Sequence, residues 1–249
     1  MELAPLGIGL LVEAGEPELL SAVTAACEGW EGPVDETTKP LRLGLALDPR
    51  KAGADAPAIA VQGQRLEIGG AGVGAWADAA LGRAECAVSR DFLDGCRLAE
   101  EVFDPLILFL LTRSGRTPIH AAGFVVGDLA VLLAGPSGSG KSCLAHAAQE
   151  AGLDILSDDT VYLQLDPGLR VWGVPRPIHL FPEDAPPGQS TVRIRSGKLK
   201  HAVPARAAAR SMSASRAALC VIRPGESVSL ERISPQDAMQ SLSALEPGF

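Results

Sequence analysis

The run Gly135-Pro136-Ser137-Gly138-Ser139-Gly140-Lys141-Ser142 constrains this chain more than any other feature. It matches G-x-x-x-x-G-K-[ST]. The apolar stretch Ala130-Val131-Leu132-Leu133-Ala134 leads in, and a helix-forming run from Lys141 to about Ala151 leads out. Glycines let such a loop curl so that its N–H groups converge on one point. The following helix adds the positive end of its dipole there. Strand, loop and helix together predict a cradle for the phosphates of ATP. Gly135, Pro136, Ser137, Gly138, Ser139 and Gly140 would line it, Lys141 would reach the β- and γ-phosphates, and the Ser142 hydroxyl would coordinate Mg²⁺. Cys143 follows on the helix, where bound nucleotide would shield it, and its simplest role there is packing.

Gly127-Asp128 separates two apolar runs, Ile119–Val126 and Leu129–Ala134. A two-residue turn at that point pairs Val126 with Leu129 and makes an antiparallel hairpin. The same register carried along one unbroken strand puts His120 opposite Gly135. That position makes His120 a candidate to hydrogen-bond a phosphate or tune a neighbouring carboxylate, against the plain alternative of a satisfied core histidine. Common nucleotide-binding α/β folds flank the loop strand with parallel neighbours joined by helices. The tight hairpin predicts a different α/β fold: a mixed, largely antiparallel sheet around the loop and its helix.

Leu153–Leu165 reads as a strand run that carries two adjacent acids, Asp158-Asp159. It begins just after the loop's helix, so it can return beside the loop. A carboxylate there can hold Mg²⁺ or accept a proton from an attacking hydroxyl. Successive strand residues face opposite sides, so the two acids divide these tasks unless the strand is irregular. The plain alternative is a solvated turn.

In their order and spacing, His120, the loop Gly135–Ser142 and Asp158-Asp159 resemble the catalytic domain of HPr kinase/phosphorylase, whose fold is related to phosphoenolpyruvate carboxykinase. The resemblance is specific over Ile119–Val161 and extends to about Leu180. It implies that His120 and Asp158 sit at the reacting phosphate, that Asp158 activates an acceptor serine, and that Ser142 and Asp159 lie near the metal. The chain departs from the family in carrying Cys143 where an acid commonly follows the loop. Gly173-Val174-Pro175-Arg176-Pro177 and the loop Pro182–Ser190 stand in place of the family's Gly-rich signature. It looks more like divergent relatives, some similar to kinases that phosphorylate a serine of a lasso-peptide precursor. The resemblance thus implies an ATP- and Mg²⁺-dependent kinase acting on a serine of a peptide or protein. A small-molecule kinase, a carboxykinase-like transferase and a nucleotide-binding regulatory module are the alternatives.

Charge is unevenly placed. The formal total is −8, from 22 basic and 30 acidic residues, which argues against nucleic-acid binding. Yet Ala185–Gly225 carries Arg193, Arg195, Lys198, Lys200, Arg206, Arg210, Arg216 and Arg223 with no acid. These could clamp phosphates or dock an acidic peptide, against a plain solvated face. Arg193 and Arg195 share one side of a strand, as do Lys198 and Lys200 if that strand continues. Arg176, between two prolines, is a separate candidate to reach nucleotide or substrate. His146 and His179 are most simply structural, and Trp30, Trp76 and Trp172 most simply core.

The rest of the chain sets the frame. Five scattered cysteines with no C-x-x-C pair, no signal-like start and no long apolar run predict a cytoplasmic protein without a membrane span. A homo-oligomer stays open. Helical spacing marks Glu16–Cys27. Leu41–Leu47, Ala58–Gln62, Gln64–Ile68 and the Gly-rich Val73–Val88 read as strands. Asp104-Pro105 reads as a capped start of a buried helix. The predicted organisation is a β-rich region over 1–103 and the catalytic domain over 104–249. In the tail, Thr191–Ile194, Ala217–Ile222 and Ser227–Ile233 read as strands, and Ser234-Pro235 begins a last helix running to about Leu245.

Overall fold

A computed structural model of the chain describes residues 1–27, 30–34, 38–53, 55–93, 97–174, 176–186, 188, 191–195, 198–205, 212–223 and 225–245. It is mixed α/β, with largely antiparallel sheets. The chain divides into two units, Met1–Arg116 and Thr117–Phe249.

The first unit carries β1 (Glu2–Leu3), β2 (Leu10–Ala14), α1 (Pro17–Ala26), β3 (Leu41–Leu47), β4 (Ala58–Gln62), β5 (Arg65–Gly70), β6 (Val73–Asp78), β7 (Arg83–Val88) and α2 (Asp104–Arg113). Its strands form one sheet in the order β1-β2-β3-β7-β6-β5-β4. The β2–β3 and β3–β7 pairs are parallel, and every other pair is antiparallel. In β3, Leu41, Leu43 and Leu45 are buried while Arg42 is exposed, the two-residue period of a one-sided strand. Val73–Val88 is a hairpin despite its alanines, because small residues pack under α2.

The start of α2 differs from the capped start expected at Asp104. Leu98–Phe103 is already one turn of π-helix, and Phe103 has helical angles, so the helical run does not begin at Asp104. Leu106, Ile107, Leu110 and Leu111 of α2 are fully buried, and the helix packs on β6 and β7. In this division α2 lies in the first unit, which ends at Arg116.

The second unit carries β8 (Thr117–Ile119), β9 (Ala122–Val126), β10 (Leu129–Ala134), α3 (Lys141–Glu150), β11 (Asp154–Ser157), β12 (Val161–Gln164), β13 (Arg170–Gly173), β14 (Ile178–Leu180), β15 (Thr191–Arg195), β16 (Lys198–Val203), β17 (Met212–Ala214), β18 (Arg216–Val221) and α4 (Pro235–Leu245). Three sheets result, ordered β11-β9-β10-β18, β17-β13-β12-β8 and β14-β16-β15. Strand β10 has β9 antiparallel on one side and β18 parallel on the other. The hairpin register is as expected: Leu129 pairs with Val126, and Gly127 takes the positive φ of 62° that the turn needs. Ala130, Leu132 and Leu156 of the first sheet meet Val161, Val171 and Ala214 of the second in a dry core. On the opposite face, Ala122 and Leu133 pack under Ala145 of α3. The third sheet joins α3 through Ile178, Leu180, Val203 and Ala148.

Two expected strands are each split in two. The run 119–126 breaks at His120-Ala121, and the run 153–165 breaks at Asp158-Asp159-Thr160. At both breaks the chain leaves one sheet and joins the other: β8 pairs with β12, and β9 pairs with β11. His120 therefore does not pair across from Gly135; the β9–β10 ladder ends at Ala122–Leu133.

In the tail, 227–233 form no strand; Val228 and Leu230 are open to solvent and meet no sheet edge. The strand through Arg193 does not continue to Lys200 but turns back, so β15 and β16 are an antiparallel hairpin. Ser234 caps α4: its Oγ accepts from the Asp237 amide at 3.1 Å and donates to Asp237 Oδ2 at 2.7 Å.

Candidate functional site

The glycine loop runs from the end of β10 into α3. Gly138 and Gly140 take φ of 84° and 92°, a region that side chains disfavour. Gly135 leaves no room for a side chain, since a Cβ there would lie 2.6 Å from Ser139 Oγ. That Ser139 hydroxyl is buried without a hydrogen-bond partner. Ile222 closes the base of the loop, its amide donating to Ala134 O at 2.7 Å.

Lys141 opens α3 and folds back along the loop. Its Nζ donates to the Gly135 carbonyl at 2.6 Å and to the Pro136 carbonyl at 3.1 Å. It is a buried cation. Burial lowers its pKa from the ordinary 10.5; the Asp159 carboxylate opposes this shift, and the nearby Lys200 ammonium adds to it.

The two acids sit in the break between β11 and β12, where the β9–β11 ladder shifts register after Ile155. The irregularity lets both face the loop's side of the unit. Asp158 is buried, at 4% exposure. Its Oδ2 accepts from the His179 amide at 2.8 Å and lies 3.5 Å from Ser142 Oγ. The His179 ring Nδ1 is 3.7 Å from the same oxygen. Asp159 is half-exposed, and its Oδ1 lies 3.5 Å from His120 Nδ1. The Ser157 hydroxyl accepts from the amides of Asp159 and Thr160 at 3.3 and 3.2 Å, which fixes the turn that carries both acids.

Lys141, Ser142, Asp158, Asp159 and His120 are thus brought together. His120 is beside Asp159, not Asp158. Gly173 enables the arrangement: a Cβ there would fall on the Leu156 carbonyl oxygen, so β13 can approach β11 only because the residue is glycine. Pro136, Ser137 and Gly138 are exposed on the loop, whereas Gly135 is buried. Cys143 is half-buried, its Sγ 3.4 Å from Asp184 Oδ2; burial first and Asp184 second raise its thiol pKa. Arg176 is half-buried between β13 and β14.

Of the basic run, Lys200 holds its Nζ 5.2 Å from the Phe181 ring centroid, while Arg216 and Arg223 are exposed. For Arg193, Arg195 and Lys198 the strand positions alone are described; Arg206 and Arg210 lie outside the described residues. Trp30 and Trp172 are buried in the core, and Trp76 lies half-buried beneath Arg65.

His179 was not expected here. Its signal was available: it alternates with the buried Ile178 and Leu180, so its side chain had to face the other way.

No family model and no curated protein matches this chain. Among solved structures, the HPr(Ser) kinase/phosphatase from Coxiella burnetii is similar at 19% identity, over 43% of this chain and 86% of that one, with a TM-score of 0.24. A likeness of that size carries no argument about activity; the chemistry open to the site is decided by its own residues. Among the described residues, no helix is long and apolar enough to cross a membrane.

Proposed function

We propose that this chain is an ATP- and Mg²⁺-dependent kinase that transfers the γ-phosphate to a serine hydroxyl of a peptide or protein. The observation that carries this reading is the meeting of the loop's Lys141 and Ser142 with two carboxylates in unlike surroundings, Asp158 buried and Asp159 half-exposed. Groups of one chemical type held in different environments suit different tasks.

The donor set fits Mg²⁺. The ion favours hard oxygens and takes only one or two from protein when it is bound with phosphates. Ser142 Oγ and Asp158 Oδ2, 3.5 Å apart, are such a pair. When bound, the metal supplies charge neutralisation across the β- and γ-phosphates.

The chain's own residues supply the rest. The loop amides and Lys141 orient the phosphates and offset their charge. Asp159 accepts the proton as the acceptor oxygen bonds to phosphorus and the bond to the leaving ADP oxygen breaks. His120, 3.5 Å away, orients Asp159. This division exchanges the roles that the family resemblance implies for the two acids, because Asp158 is the one turned to Ser142 and closed from solvent.

Labelled ATP with Mg²⁺ and serine peptides tests the reading. Label should reach the peptide, Lys141→Ala should abolish it, and Asp159→Asn should lower its rate by about 10²–10⁴. Normal ATP binding with slow turnover that no acceptor stimulates would overturn it in favour of a regulatory module.

A further inference from the structure

Two ammonium groups approach the same cradle. Lys141 lies along the glycine loop, its Nζ on the Gly135 and Pro136 carbonyls. Lys200 comes from β16 of the third sheet. Its charge acts on Lys141, after burial and the opposing Asp159 carboxylate.

Register puts Lys200 in this place. Strands β14 and β16 pair antiparallel, with His179 opposite Ala202 and Leu180 opposite His201. One step on, the same register sets Phe181 opposite Lys200, and the Lys200 Nζ stands 5.2 Å from the Phe181 ring centroid. Opposite residues share a face, and so does every second residue along a strand. His179, Phe181, Ala202 and Lys200 therefore lie on one face of the sheet. Ile178, Leu180 and Val203 lie on the other and pack with Ala148 of α3. From the first face the His179 ring comes within 3.7 Å of Asp158 Oδ2, which is itself 3.5 Å from Ser142 Oγ. The face that carries Lys200 is thus the one turned toward the acids.

The Lys200 ammonium rests against a ring, and among the described residues no carboxylate pairs with it. Asp184, three residues after Phe181, is turned to Cys143 instead. Two cations held near one another repel, and an anion between them relieves the repulsion. A triphosphate is the anion that a glycine loop of this kind accepts.

We infer that Lys200 is a second phosphate-binding cation of this site and contacts the terminal phosphate of bound ATP. The inference rests on the kinase reading for the transfer step, but not for the binding. Ser142 and Asp158 mark the metal's place, and the metal bridges the β- and γ-phosphates. Lys200 shares a sheet face with the His179 ring at Asp158, so it meets that end of the nucleotide rather than the nucleoside. During transfer Lys200 gives and takes no proton. The acceptor oxygen bonds to phosphorus, the bond to the bridging oxygen breaks, and its electron pair leaves with ADP. The acceptor proton goes to Asp159. The Lys200 ammonium offsets charge on the phosphoryl oxygens as they pass between the two.

The test titrates the full chain by calorimetry, with Mg²⁺ present, using ADP and the non-hydrolysable β,γ-imido analogue of ATP. Lys200→Met should weaken binding of the analogue about tenfold, the scale of one lost charge-assisted hydrogen bond, and change ADP binding less than about twofold. Retained ADP binding also shows that the variant's loop is folded. Lys200→Arg keeps the cation and should keep most of the preference for the triphosphate. In transfer from labelled ATP, Lys200→Met should lower kcat by about 10²-fold with little change in KM for the peptide.

Equal loss for ADP and the analogue would make Lys200 a packing residue of Phe181 and defeat the assignment, as would an unchanged affinity for the analogue. The two readings fail separately. If wild type labels peptide and Lys200→Met binds and transfers as the parent does, Lys200 falls and the kinase stands. If Lys200→Met loses only the analogue while wild type labels no peptide, Lys200 stands and the kinase reading falls.

Discussion

The amide of His179 donates to Asp158 Oδ2 at 2.8 Å, so the third sheet of the second unit holds a carboxylate that belongs to the break between two others. Asp158→Ala would leave that amide unpaired in a buried place. The expected cost is about 1–3 kcal/mol in urea unfolding. Asp158→Asn keeps an acceptor for the amide and should cost clearly less. Both variants should lose Mg²⁺-dependent transfer, which separates holding the fold from holding the ion.

Asp159 is expected to behave differently. It is half-exposed, so Asp159→Asn should leave stability within about 0.5 kcal/mol of the parent. Transfer should fall by about 10²–10⁴ in kcat, the usual worth of a positioned base. His120→Ala should lower kcat less than Asp159→Asn, with little change in KM for ATP. An equal loss in KM would place His120 on the nucleotide instead.

Lys141 gives a pH dependence whose sign is set by its burial. Its folded pKa is lowered below 10.5, so the unfolded chain binds more protons between the two values. Stability from this group therefore rises with pH through that window. Compared with Lys141→Met, the ligand-free parent should gain in melting temperature as pH climbs toward 10.5. A parent that loses melting temperature relative to Lys141→Met as pH rises, or holds level with it, would contradict the assignment.

Gly173→Ala should unfold the second unit readily. The added Cβ has no space against the Leu156 backbone, and neither strand can yield without moving the core between them. A loss of about 3 kcal/mol or more is expected by chemical denaturation. Gly168→Ala is the control, since nothing lies within 4 Å of its Cβ position.

Cys143 should react slowly. Burial and Asp184 raise its thiol pKa above the ordinary 9.0, leaving little thiolate at pH 8. Asp184→Asn removes one cause and should speed alkylation at Cys143, read by peptide mapping after iodoacetamide. Cys86, pushed up to about 12 by burial, should stay unmodified in both proteins.

Much of the frame was legible because single patterns determined it. Leu129–Ala134 is apolar and ends at a glycine, and Gly127-Asp128 admits one tight turn, which sets the hairpin register. Ser234 followed by Pro235 announces a helix start by capping chemistry alone. The breaks at His120 and Asp158 were hidden for a physical reason. Both sheets bury the residues on either side of each break, so the apolar pattern runs through without a mark. Periodicity reports burial, not which sheet supplies it. The parallel pairing of β2, β3 and β7 was hidden likewise, because pairing direction depends on distant strands. Ser227–Ile233 erred the other way: its alternating apolar residues meet no sheet edge.

The two sheet-to-sheet breaks have a mechanical consequence. His120 and Asp159 each sit where the chain steps between the same pair of sheets, so their 3.5 Å approach depends on how those two sheets pack. Asp158, its neighbour in the same turn, is tied besides to the third sheet by the His179 amide. The two acids therefore share one turn but answer to three layers, so layer packing rather than any single side chain decides where they stand.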